Sequence, residues 1–354
     1  MRLRGRVSLK FLVTRLLWGI PVLFAVVTVA FFVMRYTPGG PFDREKPLPP
    51  AVEANLRRQY RLDRPLLPVY TAADEADRQK ELDTFAAAHT VVPLGGLNVV
   101  VDPSGIAETQ YFAYLGQLAT GDFGVSMKFT QISVNDILWR TFPVSTLLGL
   151  TAFLLAFGMG ITLGVVAAAR RGTWIDGVTM VGATFGFSMP NFVLGIVLIL
   201  VFALGLKWLP PALWEGPSYL ILPALTLAVG PAAYIARLTR SGMLDIMDQD
   251  FIRTARGKGL SERAVLIKHA LANALGPIIT VAGPLMAMLV TGSFIVEHIF
   301  AIPGMGRYFI TAVIDRDYPL VMGVTVVYAA LVVVANIAVD ILYAVADPRV
   351  KLED

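Results

Sequence analysis

The sequence predicts an all-α membrane protein with six transmembrane helices, both termini cytoplasmic, and a small extracytoplasmic cap between helices 1 and 2. Three observations predict it. Of 354 residues, 56% are hydrophobic and 16% charged, and the mean hydropathy is +0.65, outside the range of ordinary soluble domains. Six apolar runs each supply the roughly 20 residues that a helix needs to cross a bilayer. Basic residues also sort by side: the four inner segments hold sixteen Lys and Arg, and the two short outer loops hold three. Short cytoplasmic loops keep such an excess of positive charge.

Residues 1–34 form the cytoplasmic N-terminus and first span. The basic start MRLRGRVSLK and the apolar run Leu16–Met34 imitate a secretory signal, but no small-residue cleavage site closes the run and its length suits a full crossing. Pro21 is tolerable there, because neighbours in a membrane bundle can satisfy a freed carbonyl.

Residues 35–140 are the one long hydrophilic section. It carries eleven basic residues, yet long translocated segments cross regardless of charge. PPAVEANLRRQY reads as a short helix with prolines at its start, and Thr71–Ala88 as a polar helix. VVPLGGLNVVV reads as a β-hairpin, because β-branched runs flank the two-residue turn Gly95-Gly96.

Residues 141–354 form a five-helix core with spans at Val144–Ala169, Val178–Leu206, Tyr219–Ile235, Ile278–Phe300 and Leu320–Ala346. Tyr219–Ile235 is the weakest, interrupted by Pro223, Gly230 and Pro231. Gly158, Gly160 and Gly164 suit close helix packing. Trp18, Trp174, Trp208 and Trp214 lie near span ends, as interfacial anchors do.

Several chemistries lack support. There is no cysteine, hence no thiol nucleophile or iron–sulfur ligand set. His89, His269 and His298 are far apart and form no zinc-binding pattern, so no metal, cofactor or catalytic residue is expected in this chain. The basic residues are dispersed over loops, which argues against a nucleic-acid partner. No G-x-x-x-x-G-K-[ST] string occurs, so the chain cannot be an ATPase by that chemistry.

Within the cytoplasmic loop 237–277, the stretch DFIRTARGKGLSERAVLIKHALANALGP concentrates Arg253, Arg256, Lys258, Arg263 and Lys268. Phe251, Thr254 and Ala255 recur at helical spacing. Gly259 suits a left-handed helix end, and Ser261 suits the N-cap of a second helix. The segment therefore predicts a helix–turn–helix on the cytoplasmic face. The plainer alternative is a basic loop that only sets orientation.

RTARGKG followed by HALANALGP resembles the cytoplasmic loop of permease subunits of ATP-binding-cassette importers, in the peptide/nickel branch. Gly39–Tyr70, Gly121–Gly149, Ala236–Leu260, Thr291–Val321 and Asn336–Val350 extend the likeness, which is closest to the oligopeptide permease B-type subunit. Departures are Gly257, where the branch usually has alanine, Gly276 before Pro277, and an inserted segment near residues 71–108, whose side of the membrane suits docking of a delivering protein. The resemblance implies one half of a translocation pathway for oligopeptides. It implies a second homologous permease subunit, two ATPase subunits that hold ATP and Mg, and an extracytoplasmic peptide-binding protein, all assembled at the bacterial inner membrane. Arg253, Thr254, Ala255, Gly259 and Leu260 fall on the positions that couple to the ATPase. A dipeptide, nickel or other small-solute importer is the alternative within the family. An ion-coupled secondary transporter is the alternative outside it, and would need paired intramembrane charges and two similar halves.

Four further residues are candidates for a pathway or gate. Asp340 lies inside the last apolar run, where a carboxylate costs about 2.5–3.5 kcal/mol unless it faces protein or water. It is either a polar lining or a structural partner of Asn336. Glu297 and His298 precede IPGMG, as an outer gate or as residues entering a turn. Asn191 follows Pro190 at a break in the third span, which is either a pathway lining or a kink.

Overall fold

The computed structural model describes residues 9–38, 40–42, 49–70, 79–129, 132–290 and 294–346. The first span is α1, Leu9–Tyr36, with Pro21 inside it. The hydrophilic section then builds α2 (Pro50–Gln59), β1 (Val69–Tyr70), α3 (Gln79–Ala88), β2 (Val91–Leu94), β3 (Leu97–Val100), α4 (Pro103–Glu108) and α5 (Gln110–Ala119). The remainder is α6 (Val134–Ala169), α7 (Trp174–Ser188), α8 (Asn191–Leu198, continuing as a π-helical stretch Ile199–Gly205) and α9 (Ser218–Met247). After these come α10 (Asp250–Gly257), α11 (Glu262–Ala264, continuing as a π-helical stretch Val265–Leu271), α12 (Ala272–Val290), α13 (Phe294–Ile299), α14 (Met305–Ile314) and α15 (Tyr318–Ala346).

Among the described residues, five helices are long and apolar enough to cross a membrane, and six spans result when α7 and α8 count as one broken span. The helical membrane class therefore stands. The sequence understates Tyr219–Ile235. It lies in α9, which runs unbroken for 30 residues and is the most buried of the candidate spans. Pro223 and Pro231 are both buried there. Packed neighbours can stabilise a helix that proline would weaken in isolation. The break at Ser188–Asn191 is larger than a kink: α7 and α8 meet at 109°, across Met189 and Pro190 in extended conformations.

The chain divides into two compact units. The larger takes residues 1–27, 138–311 and 324–354. Its core includes Leu148, Leu198, Leu222, Leu227, Leu289 and Phe300. Small residues bring α6 and α9 together. A Cβ on Gly160 would meet the Ala232 carbonyl at 2.7 Å, and one on Gly164 would meet the Ala236 carbonyl at 2.6 Å. Small residues four apart on both helices thus let the backbones touch. Gly158 faces open space instead, because two helical positions place it on nearly the opposite side of α6. Trp18, Trp174 and Trp208 are exposed, whereas Trp214 packs on the core.

The smaller unit comprises residues 28–137 and 312–323. Its sheet is antiparallel in the order β1-β3-β2. The Gly95-Gly96 turn has φ of 59° and 87°, both left-handed, as the tightest hairpin turn requires. The sequence reading found the hairpin but not β1, which is only two residues long. The polar helix expected over Thr71–Ala88 is present from Gln79; residues 71–78 lie outside the described residues. Asp102 caps α4 by accepting from Gly105 N at 2.6 Å, and it also accepts from Thr90 N and Ser104 Oγ. The Ser104 hydroxyl first, then the Gly105 and Thr90 amides and His89, hold the Asp102 carboxyl well below the usual carboxylate range.

Candidate functional site: a cytoplasmic helical hairpin

The loop between α9 and α12 is a hairpin with an apolar underside and a polar outer face. α10 ends as its sequence requires. Gly259 takes φ +76°, its N–H donates to Arg256 O at 2.9 Å, and Leu260 N–H donates to Ala255 O at 3.4 Å. These two bonds form the Schellman pattern, which satisfies the last carbonyls of a helix and favours glycine at its left-handed position. Ser261 then caps the next helix, accepting from Ala264 N at 3.4 Å. Arg256 reaches across the turn to Glu262, Nε to Oε1 at 2.8 Å and Nη2 to Oε2 at 3.4 Å.

Ile252 and Ala255 point inward to a cluster with Ala168, Met243, Val265, Ala270 and Ala274. The hairpin is thereby anchored to α6, α9 and α12. Outward lie Arg253, Thr254, Lys258, Gly259 and Leu260, with Phe251 and Leu260 about two-fifths exposed. Of the five residues singled out in sequence, four are on the outer face and Ala255 is beneath it. A Cβ on Gly257 or Gly259 meets nothing within 4 Å. Gly259 is therefore demanded by its dihedral angle, and Gly257 by nothing local.

Among the described residues, Asn191, Glu297 and His298 share no hydrogen bond or ion pair with one another. Asn191 opens α8, half-buried, just past the break. His298 is exposed. Asp340 falls within α15, but its side chain lies outside the described residues. Glu297 is fully buried. It accepts from Ser145 Oγ at 2.9 Å, Gly306 N at 2.8 Å and Arg307 N at 3.3 Å, while Met305 N donates to Ser145 Oγ at 2.9 Å. A carboxylate thus caps α14 from α13, satisfying amides that a helix start leaves unpaired. Gly304 leaves room for it, since a side chain there would collide with both Glu297 and Ser145.

Two similar devices went unnoticed in the sequence. Asp176, near the start of α7, holds Arg240 of α9 bidentately at 2.6 and 2.7 Å, and also accepts from Gly172 N. Asp317 precedes α15 and accepts from Leu320 N at 3.3 Å, Met127 N at 3.1 Å and the Ser126 hydroxyl. An acidic residue two positions before a proline, as in Asp317-Tyr318-Pro319, is a helix-start signal that could have been read. A carboxylate two residues before the apolar run Val178–Leu206, as at Asp176, is another hint of a partner.

A membrane-spanning helical bundle with an anchored cytoplasmic hairpin is the architecture of a transport permease, and comparison with known proteins agrees. The family described as binding-protein-dependent transport system inner membrane component matches residues 160–352. A dipeptide transport system permease protein of Bacillus subtilis (strain 168) is 41% identical over 343 residues, covering 97% of this chain and 98% of the relative. An oligopeptide transport system permease protein of Salmonella typhimurium is 39% identical over 345 residues, covering 97% and 99%. Among solved structures, the inward-facing MetNI methionine ABC transporter aligns with a TM-score of 0.50 at 21% identity, over 59% of this chain and 96% of that chain. That likeness concerns the fold alone. The chain belongs to the binding-protein-dependent transport family, as an inner-membrane permease component.

Proposed function

We propose that this chain forms half of a peptide pathway in an ATP-driven importer. It would work with a second permease subunit, two ATPase subunits that supply ATP and Mg, and an extracytoplasmic peptide-binding protein. The observation that carries the proposal is the hairpin: its underside is packed into the bundle while Arg253, Thr254, Gly259 and Leu260 face outward. Such an element transmits a push, because a partner that moves the outer face must move α9 and α12 with it. Alternating access in this scheme is a rigid-body change between packed states. Ala255 serves by seating α10, and the other four meet the ATPase. Asn191, His298 and Asp340 are assigned to the pathway or its gate. Glu297 is assigned to holding α13 and α14 in one arrangement.

Oligopeptides are the substrate class favoured by the motifs of the outer section. Dipeptides are the second reading, supported by the 41% identity to the Bacillus subtilis dipeptide permease. The test is uptake by proteoliposomes containing the complete complex, with peptides of two to six residues. Accumulation of pentapeptides supports the first reading and accumulation of dipeptides alone supports the second. Transport of neither, with a functional ATPase, would remove the peptide assignment.

A further inference from the structure

The smaller unit contains a cavity of about 230 Å³ that the proposed transport cycle does not use. It is lined by the last two turns of α1, the end of α2, α5, the loop after α5, and the first two turns of α15. With the N-terminus inside, α1 leaves the bilayer and α15 enters it on the outer side, so the cavity lies at the level of outer-leaflet headgroups. It is smaller than the roughly 300–1,000 Å³ of sites for drug-sized ligands, and suits a compact group.

Its polar groups are unusual in two ways. Tyr114 Oη and Gln110 Oε1 are both buried and have no hydrogen-bond partner among the described residues, although both residues line the cavity. A buried orphan costs its full desolvation penalty, so a pair of them side by side, four positions apart on α5, calls for a donor from outside the chain. The amide of Gln110 is fixed in direction, because its Nε2 already donates to Arg64 O at 2.6 Å. That leaves Oε1 to accept. The charges are also of both signs: Asp122 lines the wall together with Arg35 and Arg61. Arg35 is held in place by stacking over the rings of Phe31 and Tyr318, 5.2 Å from each centroid.

We infer that this cavity binds a compact zwitterion, with a primary ammonium donating to Gln110, Tyr114 and Asp122 and an oxyanion accepting from Arg35 and Arg61. A primary ammonium has three donors, which matches the two orphans and the carboxylate. The position at the bilayer's outer edge favours a phosphoethanolamine lipid headgroup as the source. A free dipeptide carries the same pair of charges.

The test uses the full-length chain co-expressed with its partner subunits, delipidated in detergent. It is titrated with short-chain phosphatidylethanolamine below its micelle concentration, and followed by native mass spectrometry and thermal unfolding. Phosphatidylglycerol lacks the ammonium, phosphatidylcholine lacks the N–H donors, and dialanine is the soluble zwitterion. Phosphatidylethanolamine should be retained and raise the unfolding temperature, with the two control lipids binding about tenfold more weakly, the scale of one lost hydrogen bond to a charged group. Tyr114→Phe removes an unsatisfied hydroxyl, so the unliganded variant should unfold at or above the wild-type temperature while binding about tenfold more weakly. Asp122→Asn should also weaken binding. Binding of dialanine, with no lipid bound, would support the zwitterion and assign it to a soluble source. Equal binding of all three lipids with none of dialanine, full affinity in both variants, or a lower unfolding temperature for unliganded Tyr114→Phe would overturn the inference.

Discussion

Glu297 and Gly259 both lie where one helix hands over to the next, yet their surroundings are opposite. Around Glu297, a hydroxyl and two amides converge on one buried carboxylate, and Gly304 is stripped of a side chain to admit it. Around Gly259 there is open space, and the neighbouring Arg253, Thr254 and Leu260 are exposed. The first arrangement fixes the shape of the bundle. The second holds a backbone turn stiffly and leaves its outer surface exposed. Substitutions should therefore separate the two: changes at the buried clamps should cost folding, and changes at the hairpin should cost coupling.

The largest expected effect is at Glu297. Glu297→Ala leaves the Gly306 and Arg307 amides and the Ser145 hydroxyl without their acceptor in a buried place. It should destabilise the assembled permease by about 3 kcal/mol or more, read as a lower unfolding temperature in detergent. Arg240→Met comes next, because it strands the Asp176 carboxylate, and about 2 kcal/mol is expected for a pair whose arginine is partly exposed. The double variant with Asp176→Leu should recover part of that loss, since replacing both partners is gentler than removing one. Equal losses in the double and single variants would place the instability elsewhere than the stranded charge.

At the hairpin the stability effects are smaller. Gly259→Arg forces a side chain into a left-handed position, a cost of about 1–2 kcal/mol. This chain already tolerates arginine there, at Arg61 with φ 57° and Arg316 with φ 54°. Folding and insertion should survive, and ATP-driven uptake should fall to background. Gly257→Ala should stabilise by about 0.5–1 kcal/mol, because the helical position is open and alanine loses less backbone entropy. Transport should be unchanged, and a loss would mean that the outer face at residue 257 is in close contact with the partner.

The smallest effect concerns acid. Asp102 is held below its ordinary range by Ser104, the Gly105 and Thr90 amides and His89. A carboxyl depressed on folding stabilises the fold above the unfolded value, near 3.9, and that contribution fades as pH falls toward the folded value. Hydrogen exchange of Gly105 N–H should therefore quicken relative to its intrinsic rate below about pH 4. In Asp102→Asn, that extra acceleration should be absent.

Much of the architecture was legible because it rests on local rules. Apolar runs located the spans, the Gly95-Gly96 pair located the β-hairpin, and Gly259 with Ser261 located the turn in the cytoplasmic loop. The places where reading failed depend on distant partners. Pro223 and Pro231 looked disruptive because the burial that rescues α9 comes from other helices. Gly158 looked equivalent to Gly160 because sequence does not show which side of α6 meets α9. Glu297 looked as much like a gate as a turn residue, since Ser145 is 152 positions away. The turn of the cytoplasmic loop was easier, because a left-handed glycine and a capping serine carry their pattern locally.

The most direct test of the central claim is to purify the chain gently from its native membrane through a terminal tag and identify what remains bound, for wild type and Gly259→Arg. The account predicts two ATPase polypeptides and a second permease with the wild type, and loss of the ATPases alone in the variant. Full retention of the ATPases by Gly259→Arg, with normal ATP-driven uptake, would contradict the assignment of the hairpin as the coupling element.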